Sequence, residues 1–296
     1  MRLPFFIRKI AREIALQIAP KWYKHRLLAF IRQVSWHNLN TINRNLTDFE
    51  PELLLLPYLL QPTLSFIDIG CHKGEYLYAA QYYAKHPENL LLGFEPIPSL
   101  NRLLTRFFPK AIISPVAISN KNGEFLLKIP QINKQWRLAR ATLNTHYLET
   151  NEENSQKLTV KTQRLDDFLA QNKAAIAPPC LLKIDTEGHE WEVIEGAQQT
   201  IALYHPALIV EVEQRHHNQP ITQIIDAICE LGYNCYYYQP VAGQMVPFSA
   251  TQANALQTAN PKTDRQAYIN NFLFLPTNTD QQIISNINTQ IANSTC

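Results

Sequence analysis

Carboxylates stand at the ends of four short apolar runs, each of which predicts a buried strand. The runs are residues 64–69, 90–94, 180–184 and 207–212, and the carboxylates are Asp68, Glu95, Asp185, Glu211 and Glu213. Helical patterns separate the runs, which is typical of a parallel sheet with helices on both faces. Ligands bind beyond the carboxyl ends of such strands, so these side chains are expected to share one site.

The turn after the first strand carries two glycines, Gly70 and Gly74, with His72 between them. Gly70 allows a sharp turn, and Gly74 is expected in the first turn of the next helix, where a side chain would block a ligand. A dinucleotide fingerprint would place a middle glycine near His72 to make room for a pyrophosphate. Its absence argues against NAD and favours S-adenosylmethionine, which has no phosphate.

Glu95 lies 25 residues beyond Gly70, at the end of the second strand. A carboxylate at this point can accept hydrogen bonds from both ribose hydroxyls of an adenosine. NAD enzymes use the same device, so Glu95 by itself indicates only adenosine.

Several strings of this chain resemble the FkbM-type methyltransferases. They are residues 66–76 (FIDIGCHKGEY), 94–96 (FEP), 116–119 (VAIS), 182–190 (LKIDTEGHE), 194–197 (IEGA) and 206–213 (PALIVEVE). The similarity covers roughly residues 62–276, and the segment at residues 183–190 is its most specific part.

The resemblance implies a doubly wound α/β fold of the class I methyltransferase (Rossmann-like) type, with a mostly parallel seven-stranded sheet. It also implies S-adenosylmethionine as cofactor and O-methylation of a sugar, glycan or secondary metabolite. Asp68, Gly70, His72, Gly74 and Glu95 are then expected to bind the cofactor, with Ala117 beside the adenine. The alternatives are a nicotinamide-dependent oxidoreductase and a non-catalytic adenosine-binding module.

The catalytic candidates follow the predicted strand at residues 180–184, and they are Asp185, Glu187 and His189. An alcohol must lose its proton during methyl transfer, and histidine titrates near neutral pH, so His189 is the first candidate for the base. His189 could instead be a structural residue that caps the next helix. Asp185 could face the methionine amino group or the acceptor, or could brace the loop, and Glu187 and Glu190 could cap the helix.

A divalent cation held by Asp185, Glu211 and Glu213 is a second mechanism, since Glu211 and Glu213 share one face of a strand. A simple polar strand end is the favoured interpretation, so no metal is predicted. His216 and His217 either line the acceptor pocket or are ordinary loop residues.

The elements between the motifs continue the alternation of strands and helices. Helices are predicted at residues 73–85, 98–108, 165–170, 190–203 and 221–231, and further strands at residues 111–118, 158–162, 233–238 and 267–275. Asn122-Gly123 predicts a hairpin with residues 124–129 as its return strand. Residues 130–156 read as polar and irregular. The last two strands lack a helical connection, which predicts an antiparallel final strand.

Three segments are expected: a basic helical extension at residues 1–60, a methyltransferase domain at 61–276 and a polar tail at 277–296. Residues 1–33 contain eight lysines and arginines against one acid, although the whole chain carries only +2. This balance argues against a nucleic-acid partner. Amphipathic helices at residues 4–34 could pack on protein or contact an anionic membrane surface.

Five cysteines without a C-x-x-C pair are typical of reduced, buried thiols. No apolar run reaches the length of a membrane span, and the N-terminus lacks a signal-peptide pattern. We therefore expect a cytoplasmic protein, with residues 1–34 as the segment for peripheral contact with the inner membrane.

Overall fold

The computed structural model describes residues 50–258 and 268–293. The predicted basic helices at residues 4–34 lie outside this part of the chain. Among the described helices, none combines the length and the apolar character that crossing a membrane requires.

A mixed eight-stranded sheet forms the centre of the fold. Its strands, in spatial order, are β11 (Gln244–Pro247), β10 (Tyr233–Gln239), β12 (Asn271–Pro276), β9 (Ala207–Glu211), β8 (Pro179–Ile184), β1 (Ser65–Ile69), β2 (Leu91–Phe94) and β3 (Ile112–Ser114). The five strands from β9 to β3 are parallel, whereas β12, β10 and β11 pair antiparallel. The antiparallel final strand is confirmed. The sheet is mixed and has eight strands rather than the seven expected, because the turn at Gly243 returns the chain as the added edge strand β11.

Helices cover both faces of this sheet. They are α1 (Leu56–Leu59), α2 (Glu75–Tyr83), α3 (Pro98–Phe107), α4 (Leu165–Asn172), α5 (Glu190–Gly196), α6 (Gln198–Tyr204), α7 (Ile221–Cys229), α8 (Ala253–Leu256) and α9 (Asp280–Asn293). Alternate residues of β1 serve two separate cores: Phe66 belongs to one, and Ile67 and Ile69 to the other. The parallel part is therefore apolar on both faces, as covered parallel strands must be.

A second, four-stranded sheet is inserted between β3 and β8. It contains β4 (Ala117–Ile118), β7 (Glu152–Gln163), β5 (Gly123–Ile132) and β6 (Gln135–Trp136), in that order. Its long strands β5 and β7 pair antiparallel from Gly123 to Ile132. Parts of residues 130–156, expected to be irregular, therefore belong to strands.

Two expectations in this region are wrong. The strand at residues 111–118 is divided into β3 and β4, because Pro115 has no N–H to continue a ladder. The hairpin at Asn122-Gly123 does not form, since β5 pairs with β7 and β4 pairs with the other edge of β7. Asn122 instead binds Asp167 and the backbone N–H of Arg164, at 2.7 and 2.9 Å.

The remaining differences concern helices. The helix expected at residues 190–203 is two helices that meet at Ala197, where Gly196 packs so closely on the carbonyl of Ser119 that a side chain would overlap it. Residues 51–59, assigned to the extension, contribute Leu53–Leu56 and Leu59 to the core. The polar segment after Thr277 contains α9, which buries Ile287 and Ile291.

Candidate functional site

A cavity of about 270 Å³ lies at the carboxyl ends of β1, β2, β8 and β9. Eight of the nine predicted site residues line it: Asp68, Gly70, His72, Glu95, Ala117, Asp185, Glu187 and His189. The insertion contributes apolar side chains, namely Leu127, Leu138, Ala139, Ala141 and Leu143. The cavity therefore has a charged floor from the central sheet and an apolar wall from the inserted sheet.

The turn after β1 depends on Gly70. Its φ of +81° is unfavourable for other residues, and a Cβ at this position would overlap the carbonyl oxygen of Asp185. This close approach joins the ends of β1 and β8. His72 follows with a φ of 46°, and burial, reinforced by Lys73, lowers its pKa to about 4. A neutral imidazole thus lines the cavity near pH 7.

Gly74 does not line the cavity. A Cβ there would come within 2.7 Å of Leu104 and 3.1 Å of Phe108, so the glycine permits helix packing between α2 and the α3 region. Its φ of +83° also places it at the N-cap of α2 in the left-handed region. The expectation that Gly74 makes room for a ligand is wrong.

Glu95 presents a buried carboxyl group to the cavity and is only 4% exposed. Oε1 accepts the backbone N–H of Ile97 at 2.8 Å. Burial raises the pKa of Glu95 to about 8, although hydrogen bonds from the backbone N–H groups of Ile97 and His72 oppose this rise. Ala117 lies in an apolar cluster with Ile97 and Leu127 along the same wall.

Lys183, on β8, lies in the cavity floor and was not assigned a role from the sequence. Its ammonium donates to Asn271 Oδ1 at 3.0 Å and lies 3.6 Å from Asp185 Oδ2 and 5.1 Å from the centre of the Tyr76 ring. Burial opposes its charge, but the carboxylates of Asp185, Glu50, Glu211 and Asp68 outweigh burial and raise the pKa of Lys183. The lysine therefore stays charged and balances the acidic floor.

The matching sequence profile is that of the methyltransferase FkbM domain, and it covers residues 68–235. The chain belongs to the FkbM methyltransferase family. A crystal structure titled methyltransferase FkbM, from Methylobacillus flagellatus KT, is similar at 13% identity and a TM-score of 0.45. The similarity covers 73% of this chain and 45% of that one, so the chain spans less than half the length of that protein. A search of the curated proteins finds no match.

The family match gives no support to the oxidoreductase or to the non-catalytic module. The segment at residues 183–190 contains the end of β8, the loop that follows it and the first residue of α5. Glu190 closes this loop, because its Oε1 accepts the N–H groups of Thr186 and Gly188 at 3.2 and 3.0 Å. Burial raises the pKa of Glu190, but His217 and the backbone N–H groups of Gly188 and Glu190 lower it to about 2, so the carboxylate is ionised.

His189 lines the cavity, but both of its ring nitrogens face a partner. Nε2 lies 2.9 Å from Ser119 Oγ, and Nδ1 lies 3.5 Å from Glu192 Oε2. Burial lowers the pKa of His189 against the opposing effect of Glu192. The residue occupies the N-cap position of α5 without a side-chain capping bond. Its role as the base stays a prediction that this geometry does not favour.

Glu187, the third candidate, is held by two side chains from the segment after β9. Oε2 lies 3.1 Å from both Arg215 Nη2 and His216 Nε2. Burial raises the pKa of Glu187, and the partners His216 and Arg215 counteract this effect. His216 therefore contacts a cavity residue, whereas His217 lies 3.5 Å from Glu190 Oε2.

The carboxylates that come together differ from those proposed for a metal. Oxygens of Glu50, Asp185 and Glu211 lie within 4.8 Å of one another, whereas Glu213 pairs with Arg215. Glu50 also accepts the Tyr76 hydroxyl at 2.7 Å. The sequence does not reveal Glu50, because no motif or strand end surrounds it. Glu50 reaches the site only through the tertiary fold, where it contacts Tyr76 of α2.

Proposed function

We propose that this chain transfers a methyl group from S-adenosylmethionine to a hydroxyl group of a sugar, glycan or secondary metabolite. The observation that carries the proposal is the buried carboxyl of Glu95, which lines a cavity at the carboxyl ends of parallel strands. A buried carboxyl group needs hydrogen-bond donors, and Glu95 Oε1 accepts one from the backbone N–H of Ile97. Two ribose hydroxyls can supply further donors from the cavity.

The surroundings of Glu95 also fit an adenosine. Ile97, Ala117 and Leu127 form an apolar wall beside it, which suits a flat adenine ring. The turn at Gly70 brings the backbone close to the cavity without a side chain in the way. Asp68 at the same strand end is 2% exposed and lines the cavity, where it can accept the amino group of the methionine part.

The acidic floor supports a cationic cofactor. Among the described residues, the lining includes Glu50, Asp68, Asp185 and Glu211 but only one lysine, Lys183. A sulfonium and an ammonium group gain from such a field, whereas the phosphates of a dinucleotide are repelled by it. When bound, S-adenosylmethionine supplies a methyl group that is already activated on sulfur.

Asp185 is the residue that we assign to the proton of the acceptor. Its side chain is 28% exposed to the cavity, and the Lys183 ammonium lies 3.6 Å away. Burial raises the pKa of the neighbouring Glu50 and Glu211. The main contribution of the chain is to align the two reactants, and proton removal by Asp185 adds to it.

Isothermal titration of the full chain with S-adenosylmethionine, S-adenosylhomocysteine and NAD tests the cofactor. We expect the first two to bind and NAD to give no heat of binding. Glu95→Ala should weaken binding by about 1.5–3 kcal/mol, the range for a lost charge-assisted hydrogen bond. The exposed Glu124→Ala is the matched control and should bind normally. NAD binding without S-adenosylmethionine binding would refute the proposal.

The acceptor can be found by incubating the protein and a labelled methyl donor with a library of glycans and metabolites. Label that resists mild base excludes a methyl ester, and mass-spectrometric fragmentation that places the methyl group on a former hydroxyl oxygen identifies an ether. Label confined to amines or carboxyl groups would contradict O-methylation of an alcohol.

A cytoplasmic location and a peripheral membrane contact through residues 1–34 belong to the same proposal. The support is the basic, amphipathic sequence of that segment. Co-sedimentation of the full chain with anionic and neutral liposomes, at low and high salt, tests the contact. Deletion of residues 1–34 should abolish binding to anionic liposomes, and unchanged binding would refute it.

A further inference from the structure

The segment between β6 and β7 closes one side of the cavity. We define residues 138–149 as the cover segment. Leu138, Ala139, Ala141 and Leu143 from this segment line the cavity. Three of them pack on the cluster of Ile97, Ala117 and Leu127. The cover segment therefore lies over the part of the cavity to which we assign the adenosine.

One set of attachments joins the cover segment to its own sheet. The backbone of Thr142 exchanges two hydrogen bonds with Lys128 on β5, at 2.9 and 3.0 Å. The Lys128 ammonium donates to the carbonyl of Tyr147 and pairs with Glu152 at 2.9 Å. The partners of the cover segment in these bonds belong to the inserted sheet, so the bonds do not join the cover segment to the central sheet.

The second set of attachments crosses to the central sheet and is centred on Arg215. Glu149, whose side chain is 3% exposed, accepts from Arg215 Nη1 at 2.6 Å. The same guanidinium reaches Glu187 through Nη2 at 3.1 Å and Glu213 through Nε. The Tyr147 ring also meets His216 edge-on, with centroids 4.9 Å apart. One arginine thus joins the cover segment, the loop of Asp185 and the end of β9.

We propose that Arg215 is a positioning residue that fastens the cover segment onto the loop after β8 and thereby closes the cavity over its bound donor. Arg215 is not among the residues that line the cavity, so it acts through Glu149 and Glu187. The planar guanidinium presents five N–H donors in a fixed fork, so it can serve three carboxylates at once. Release of the Glu149–Arg215 pair frees the cover segment for exchange of the cofactor. The inference rests on the proposed function for the identity of that cofactor.

Two measurements on the full chain test the role of Arg215. Amide hydrogen exchange without ligand should be about tenfold faster over residues 138–149 in Arg215→Ala and in Glu149→Ala, the effect of one lost charge-assisted hydrogen bond. Surface plasmon resonance should show S-adenosylhomocysteine leaving each variant about tenfold faster. The double variant should be no faster than Arg215→Ala, because both changes break the same pair. Arg215→Lys should recover part of the loss.

Arg140→Ala is the matched control. Arg140 binds the same carboxylate, with Nη1 2.8 Å from Glu149 Oε1, but it belongs to the cover segment and does not fasten it to the central sheet. In Arg140→Ala, amide hydrogen exchange over residues 138–149 and dissociation of S-adenosylhomocysteine should be as fast as in the unaltered chain. If Arg215→Ala does not fold, Glu149→Ala tests the same bond from the other side.

The two proposals fail in different ways. Unchanged exchange over residues 138–149 in both Arg215→Ala and Glu149→Ala overturns the role of Arg215, whatever the ligand. Equal acceleration by Arg140→Ala also overturns it, because the effect would then be local to the segment. Faster exchange in a protein that does not bind S-adenosylhomocysteine supports the fastening and refutes the proposed cofactor.

Discussion

Cofactor binding should depend on pH through Glu95. Burial raises its pKa to about 8 in the free protein, whereas ribose hydroxyls donate their hydrogen bonds to the ionised form. Binding must therefore remove a proton from Glu95 below pH 8. If only the ionised form binds, the dissociation constant of S-adenosylhomocysteine is about 50-fold larger at pH 6 than at pH 8.

Calorimetric titration between pH 6 and pH 9 measures this dependence directly. At pH 7 we expect release of about one proton per ligand, seen as a difference in heat between two buffers with different ionisation enthalpies. Glu95→Gln keeps the shape of the side chain but cannot ionise. It should bind less tightly at pH 8 and lose the part of the pH dependence that Glu95 causes.

The comparison with Glu95→Gln separates Glu95 from its neighbours. Asp68 and Glu187 also line the cavity, and burial raises the pKa of each. Both titrate equally in the unaltered chain and in the variant, so the difference between the two curves belongs to Glu95. Parallel curves would refute the reasoning, since they would show that Glu95 does not change its proton on binding.

Four further changes test the site and its frame. Asp185→Asn should lower turnover of labelled donor by about 10²–10⁴ while S-adenosylhomocysteine binding is kept, and full activity would remove Asp185 from the chemistry. Gly70→Ala should lower the free energy of unfolding in urea by more than about 2 kcal/mol, because its Cβ overlaps a carbonyl oxygen at a φ of +81°. Lys183→Met should cost about 3–5 kcal/mol in the same assay, since buried carboxylates lose their cation; an unchanged midpoint would contradict this. Burial raises the pKa of Glu52 from 4.5 to about 8, so its contribution to stability is complete below pH 4.5 and is lost as pH rises through 8; Glu52→Gln should remove this loss, at most about 5 kcal/mol, in melts from pH 5 to pH 8.

Local sequence was enough to find most of the cavity. Asp68 lies near the end of an apolar run, and Glu95 and Asp185 each follow one; a parallel sheet brings the carboxyl ends of such runs to one edge. Gly70 could be recognised because a turn with positive φ is a property of a few consecutive residues. The same reasoning could not place Gly74, whose neighbours Leu104 and Phe108 come from another helix.

Tertiary structure alone decided which charged and polar side chains become partners. Lys183 is paired with Asn271, 88 positions away, and Arg215 with Glu149, 66 positions away. The pairing of β5 with β7 replaced the hairpin for a similar reason: a long ladder outweighs a local turn signal. Spacing along the chain determines strands, turns and the order of their ends, because these depend on neighbouring residues. Partners across the sheet depend on the path of the whole backbone, and no short segment contains that information.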